Sequence, residues 1–83
     1  MIYRLVYTKR SVEDIQKLDT LARRRIGERL RSLENDPLGK SRKLLNPRIG
    51  TYRYRIGDYR AVFDISGRDV VVLRVGHRRE IYR

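Results

Sequence analysis

Apolar positions along this chain recur first at every second residue, then at every third or fourth, then at every second again. The opening run IYRLVY, residues 2–7, alternates weakly and is rich in β-branched and aromatic side chains, which predicts a strand. Ser11, with Asp14 three residues on and Glu13 beside it, has the spacing of a helix start, and Val12, Ile15 and Leu18 follow at helical intervals. Asp19 or Thr20 caps a second helix, in which Leu18, Ala22, Ile26, Leu30 and Leu33 trace one face. That helix ends near Asn35, because Pro37 disfavours helical backbone at Asp36. Two helices joined so tightly predict an antiparallel hairpin. Residues 36–50 read as a loop punctuated by Pro37, Gly39, Asn46, Pro47 and Gly50, with Leu44 and Leu45 expected to tether it to the core. Strand-like runs then occupy residues 52–56, 59–65 and 70–75. The order β-α-α-β-β-β predicts an α+β fold: an antiparallel sheet of about four strands with an α-helical hairpin packed on one face, in a single domain over residues 1–83.

The stretch TYRYRIGDYRAVFDI, residues 51–65, sharpens this picture. Gly57 and Asp58 make a natural two-residue hairpin loop. That turn sets Ile56 opposite Tyr59, Arg55 opposite Arg60, Tyr54 opposite Ala61 and Arg53 opposite Val62. Tyr52, Tyr54, Ile56, Tyr59, Ala61, Phe63 and Ile65 then share the side facing the helices, and Arg53, Arg55 and Arg60 share the other. Like charges facing each other across a ladder destabilise it. Three guanidinium groups on one face suit an anion better than they suit the fold. A three-residue loop at residues 66–68 would add Val71, Leu73 and Val75 to the helix side and Arg74 to the arginine side. By the same parity Arg78 joins them.

Charge supports that reading. Lysine and arginine total 21 against 10 acidic residues, a net charge of +11, which predicts a polyanionic partner, nucleic acid before an acidic membrane surface or protein. Arginine outnumbers lysine 17 to 4, favouring bidentate phosphate contact. A heat-adapted surface rich in ion pairs would explain many of these charges but not so large an imbalance. The chain has no cysteine and a single histidine, His77, which removes disulfides, thiolate chemistry and Cys- or His-cluster metal sites. No cofactor or metal is expected. With no apolar run of about 18 residues and no signal-peptide pattern, a soluble, cytoplasmic protein without a membrane partner is expected.

The run YRYRIGDYRAVF, followed by VVVLRVGHRREIY, resembles the RelE/ParE superfamily of bacterial and archaeal toxins, most strongly over residues 52–82. In that superfamily a strand with two basic residues, a G-D-Y-R step and a terminal H/K-R…Y element recur in this order. The resemblance implies a small antiparallel sheet with a helical hairpin on one side, held in check by an acidic, RelB-like antitoxin. RelE-type members cleave mRNA in the ribosomal A site, whereas ParE-type members inhibit DNA gyrase and tend to lack the catalytic basic residues. The two basic strand positions fall on Arg53 and Arg55, where arginine stands in place of lysine. The G-D-Y-R arginine falls on Arg60, the H-R arginine on Arg78 and the functional tyrosine on Tyr82.

The resemblance thus implies a metal-independent endoribonuclease that inhibits translation. Arg55, Arg60, Arg78 and Tyr82 are its expected catalytic residues, and Arg53, Arg74, His77 and Lys43 its expected RNA contacts. Attack of a 2′-OH on the adjacent phosphorus needs a proton acceptor, charge stabilisation and a donor for the leaving 5′-oxygen. Arg55 and Arg60 suit the phosphate and Arg78 the leaving side. Tyr82 can take the proton, if guanidiniums lower its pKa, or stack on a base. Two other readings stay open: a ParE-like toxin that binds gyrase without catalysis, and a plain RNA- or DNA-binding module.

Overall fold

A computed structural model describes residues 2–44 and 49–81. Five strands form one sheet: β1 (Arg4–Tyr7), β2 (Arg42–Lys43), β3 (Tyr52–Ile56), β4 (Tyr59–Ser66) and β5 (Asp69–His77), in the spatial order β1-β5-β4-β3-β2. The sequence predicts about four strands; the addition is the two-residue β2, antiparallel to β3. The sheet is antiparallel except where β1 lies parallel to β5, Arg4 beside Asp69 through Tyr7 beside Val72. Arg4 Nε donates to Asp69 Oδ1 across that pair at 3.0 Å.

The helices are α1 (Lys9–Gln16) and α2 (Thr20–Arg31), continued by a 3-10 turn over Ser32–Glu34, then the single-turn α3 (Pro37–Lys40) within the expected loop. Asp19 caps α2 by accepting from the Ala22 amide at 2.7 Å. In α1 the cap is Thr8, whose hydroxyl accepts from the Ser11 amide. Ser11, read from sequence as the helix start, is inside the helix and buried, and Val12 is exposed. Asp36 caps α3 and Pro37 takes its first position, where a missing amide costs nothing.

Ile26, Leu30 and Leu33 pack against Tyr54, Ile56, Ala61, Phe63, Val70, Val72 and Val75, with Ile15, Leu18, Tyr52, Tyr59 and Ile65 around them. Each fully buried aliphatic or aromatic side chain contributes about 1.5–3 kcal/mol, so this one face carries most of the stability. Tyr54 reaches the helices with its hydroxyl, which accepts from Arg29 Nε at 3.1 Å and lies 3.2 Å from Ser32 Oγ.

The inward set on β5 differs from the expected Val71, Leu73 and Val75. Ser66 pairs directly with Asp69, so the connection is a two-residue turn with Gly67 at φ 61°. Removing one loop residue turns the strand over and brings Val70 and Val72 inward. A bulge then opens between Val62, opposite Arg74, and Phe63, opposite Val72, which turns it back in time for Val75.

The other face of the sheet is partly covered. Val62, buried, lies beside Arg53, and a Cβ on Gly50 would stand only 2.6 Å from Val62 Cγ1 and 2.8 Å from Leu73 Cδ1. The half-buried Leu44 ties this segment down, its amide donating to Thr51 O. Leu45, the other leucine expected there, lies outside the described residues, as does Tyr82. No helix among the described residues is long and apolar enough to cross a membrane.

Candidate nucleic-acid interface

Arg53, Arg55 and Arg60 are brought together on the sheet face away from the helices. Gly57, at φ 60°, closes the β3–β4 hairpin in the predicted register, with Arg55 directly opposite Arg60 and Arg53 opposite Val62. These three arginines line a cleft of about 440 Å³ with Lys40, Ser41 and Arg42. Its lining therefore carries five cations and one hydroxyl.

The third wall is the part that sequence reasoning missed. Arg42 pairs with Arg53 across β2 and β3, so a second like-charged pair sits beside Arg55 and Arg60. Lys43, expected to contact RNA, pairs with Tyr52 and so takes the opposite parity; Arg42 holds the place in the cleft. The signal lay in the basic run KSRK around the α3 cap, within a stretch whose Pro and Gly spacing marks it as a loop.

The repulsion between Arg55 and Arg60 is relieved locally. Arg60 is half-buried, and its Nη1 donates to Gly57 O at 3.0 Å and to Tyr59 O at 2.8 Å, which draws its guanidinium toward the turn. Arg53, Arg55, Lys40 and Arg42 are exposed.

Arg74 is not part of this cleft. Its position opposite Val62 gives it the expected parity, but its Nε donates to Asp14 Oδ2 at 2.8 Å. The same buried carboxylate oxygen accepts from the Val75 amide at 3.0 Å, and Arg10 stands 3.8 Å from the other oxygen. Asp14 thus fastens α1 to the edge of β5 where β1 has ended, and Arg74 belongs to that fastening.

His77 pairs with Tyr59, so it takes the helix-side parity, and its ring meets that of Tyr59 edge-on with centroids 5.8 Å apart. Its Nδ1 accepts from the Arg79 amide at 3.2 Å. Arg78 stands one residue beyond β5, exposed, its amide donating to Asp58 O at 2.9 Å. That bond places it at the hairpin-turn end, near Arg60 but outside the cleft lining. The chain then turns back, with the amides of Glu80 and Ile81 donating to His77 O, and Ile81 is buried against Gly76. Among the described residues no cluster of His, Cys, Asp or Glu could hold a metal ion.

A preorganised cluster of guanidiniums on a rigid sheet can bind a phosphodiester and stabilise charge that develops on it.

Comparison with known proteins agrees with this fold. Residues 5–82 match the family model of the ParE toxin of the type II toxin–antitoxin system parDE. The toxin–antitoxin complex RelBE2 from Mycobacterium tuberculosis contains a chain 30% identical to this one, covering 94% of this chain and 100% of that one, with a TM-score of 0.84. A chain of the archaeal RelE–RelB complex from Pyrococcus horikoshii OT3 is 28% identical, with coverage of 96% and 99% and a TM-score of 0.78. The isolated RelE toxin of E. coli, at 24% identity, 96% and 90% coverage and a TM-score of 0.75, shares the fold. No curated protein matches the chain by sequence.

Proposed function

The chain belongs to the RelE/ParE superfamily of toxins of type II toxin–antitoxin systems, and from that premise we propose that it is a ribosome-dependent endoribonuclease that cuts mRNA in the ribosomal A site. The observation that carries this reading is the arginine cleft, with Arg55 set against Arg60 and Arg53 beside them. A fold gains nothing from such an arrangement, and a phosphate gains a great deal.

In the proposed reaction the 2′-OH attacks the adjacent phosphorus, the bond from phosphorus to the 5′-oxygen breaks, and a 2′,3′-cyclic phosphate and a 5′-OH result. Arg55 and Arg60 hold the phosphate and neutralise the charge that builds on its equatorial oxygens. Arg78 serves the leaving oxygen from the turn end. Tyr82 is assigned to the 2′-OH side, as proton acceptor or as a platform for the base. Arg53 holds the neighbouring backbone, and His77 supports the turn that carries Arg78. The ribosome supplies the ordered mRNA. The partner that silences the protein is an acidic, RelB-like antitoxin, as in the RelB–RelE complexes that the chain resembles.

A second reading is kept because the matching family model is that of ParE: a toxin that blocks DNA gyrase without catalysis. Primer extension on translated mRNA with purified protein separates the two. Codon-phased cuts that vanish without ribosomes are expected, reduced by about 100-fold or more in an Arg60→Ala, Arg78→Ala double variant. Cutting at the parent rate by that variant would refute the residue assignment. Intact mRNA with blocked supercoiling would establish the gyrase reading instead.

A further inference from the structure

Two arginine pairs, not one, face each other across this sheet. Arg55 and Arg60 join β3 to β4, and Arg42 and Arg53 join β3 to β2. Arg53 and Arg55 are two residues apart on β3 and so project from the same side. With about 3.4 Å per residue along a strand and about 4.8 Å between strands, the centres of the two pairs lie about 8 Å apart on a diagonal. Neighbouring phosphates of an extended nucleic-acid strand fall within that span once flexible arginine side chains close on them. Lys40 and Ser41 line the cleft together with Arg42.

We propose that the cleft is a two-phosphate site, in which Arg55 and Arg60 hold one phosphate of a single RNA strand and Arg42, Arg53 and Lys40 hold the adjacent one. The proposal rests on the ribonuclease reading and adds a recognition unit to it: the strand is gripped as a pair of consecutive phosphodiesters. Each pair is destabilising by itself, and a phosphate between its members turns the repulsion into two charge-assisted contacts. Lys40 and Arg42 come from α3 and β2, so the Asp36 cap and the pairing of β2 with β3 position this second grip around Arg53.

The test uses short 2′-O-methyl RNAs, which cannot be cleaved, titrated into the isolated protein and followed by NMR. A dinucleotide presents one phosphate and a trinucleotide two. The parent protein is expected to bind the trinucleotide about tenfold more tightly, the net gain from the second phosphate's charge-assisted contacts at exposed side chains. In Arg42→Gln that gain falls below about twofold, while dinucleotide affinity is kept by Arg55 and Arg60. Lys40→Gln, a change at an exposed site, lowers the gain in the same direction. Arg68→Gln, at the β4–β5 turn, changes the net charge equally and leaves the gain intact. Equal affinity for the two RNAs, or an equal loss in Arg68→Gln, would overturn the proposal. So would a peptide with two carboxylates that competes as well as the trinucleotide, since the cleft would then be a site for an acidic segment. No ribosome is involved, so this outcome is separable from that of the cleavage assay.

Discussion

Replacing Arg55 by glutamine separates what the arginine cleft offers a bound anion from what it costs the fold. Arg55 is exposed and faces Arg60 across the ladder, where like charges cost about 0.2–1 kcal/mol. Solvent screens the exposed partner, and Arg60 is drawn toward Gly57 O and Tyr59 O, so the lower half of that range applies, about 0.2–0.5 kcal/mol. For a domain of this size about 4–8 °C of melting temperature corresponds to 1 kcal/mol, so Arg55→Gln should melt about 1–4 °C higher than the parent. A chain with net charge +11 gains something from losing any positive charge, and Arg68→Gln measures that general share. The comparison is made by calorimetry at about 0.1 M and about 1 M salt, where the Debye length shrinks from about 10 Å to about 3 Å. The excess stabilisation of Arg55→Gln over Arg68→Gln should be present at low salt and largely gone at high salt. RNA binding should fall in the same variant. An Arg55→Gln protein that melts no higher than Arg68→Gln at low salt, or whose gain persists at 1 M, would refute the idea that the ladder stores repulsion for an anion to relieve.

Two further predictions concern what holds the cleft's surroundings in place. Asp14→Ala removes the acceptor shared by Arg74 and the Val75 amide and should cost about 1.5–3 kcal/mol in urea unfolding, whereas Asp14→Asn, which keeps an oxygen for the amide, should cost less. Gly50→Ala drives a methyl group into Val62 and Leu73 and should destabilise by about 1–3 kcal/mol, the usual cost of overpacking, while Gly27→Ala, with nothing within 4 Å of the new Cβ, should be neutral or stabilising.

The hairpin was legible because a two-residue turn leaves its register no freedom. Once Gly57 and Asp58 are the loop, every cross-strand partner from Tyr52 to Phe63 follows, including the pair Arg55 and Arg60. β5 was not legible in the same way. Its phase depends on whether two or three residues make the turn and on a bulge beside Val62, and neither changes the composition of VVVLRV. The Arg74 parity came out as expected because the two departures cancel, yet the carboxylate that claims Arg74 sits sixty positions earlier, in what reads as a helix cap. Asp14 and Ser11 do have capping chemistry; Thr8 does the capping, and Asp14 is spent on the edge of β5. The place of Arg42 in the cleft was not legible because a two-residue strand has no periodicity to detect, and Lys40 ends a single-turn helix inside what reads as a loop.

The parallel pairing of β1 with β5 has a consequence for when this protein can act. Arg4 and Asp69 are neighbours in the sheet but 65 positions apart in the chain. During synthesis β1 emerges first, finds no partner, and must wait until both hairpins of the sheet have been made. Asp14 waits with it, since the amide it accepts belongs to Val75. Pairing over so long a separation is slow to form, because the loop must close before any contact rewards it. A nascent chain therefore lacks its completed sheet until β5 has been made, and the fold closes only at the end of synthesis.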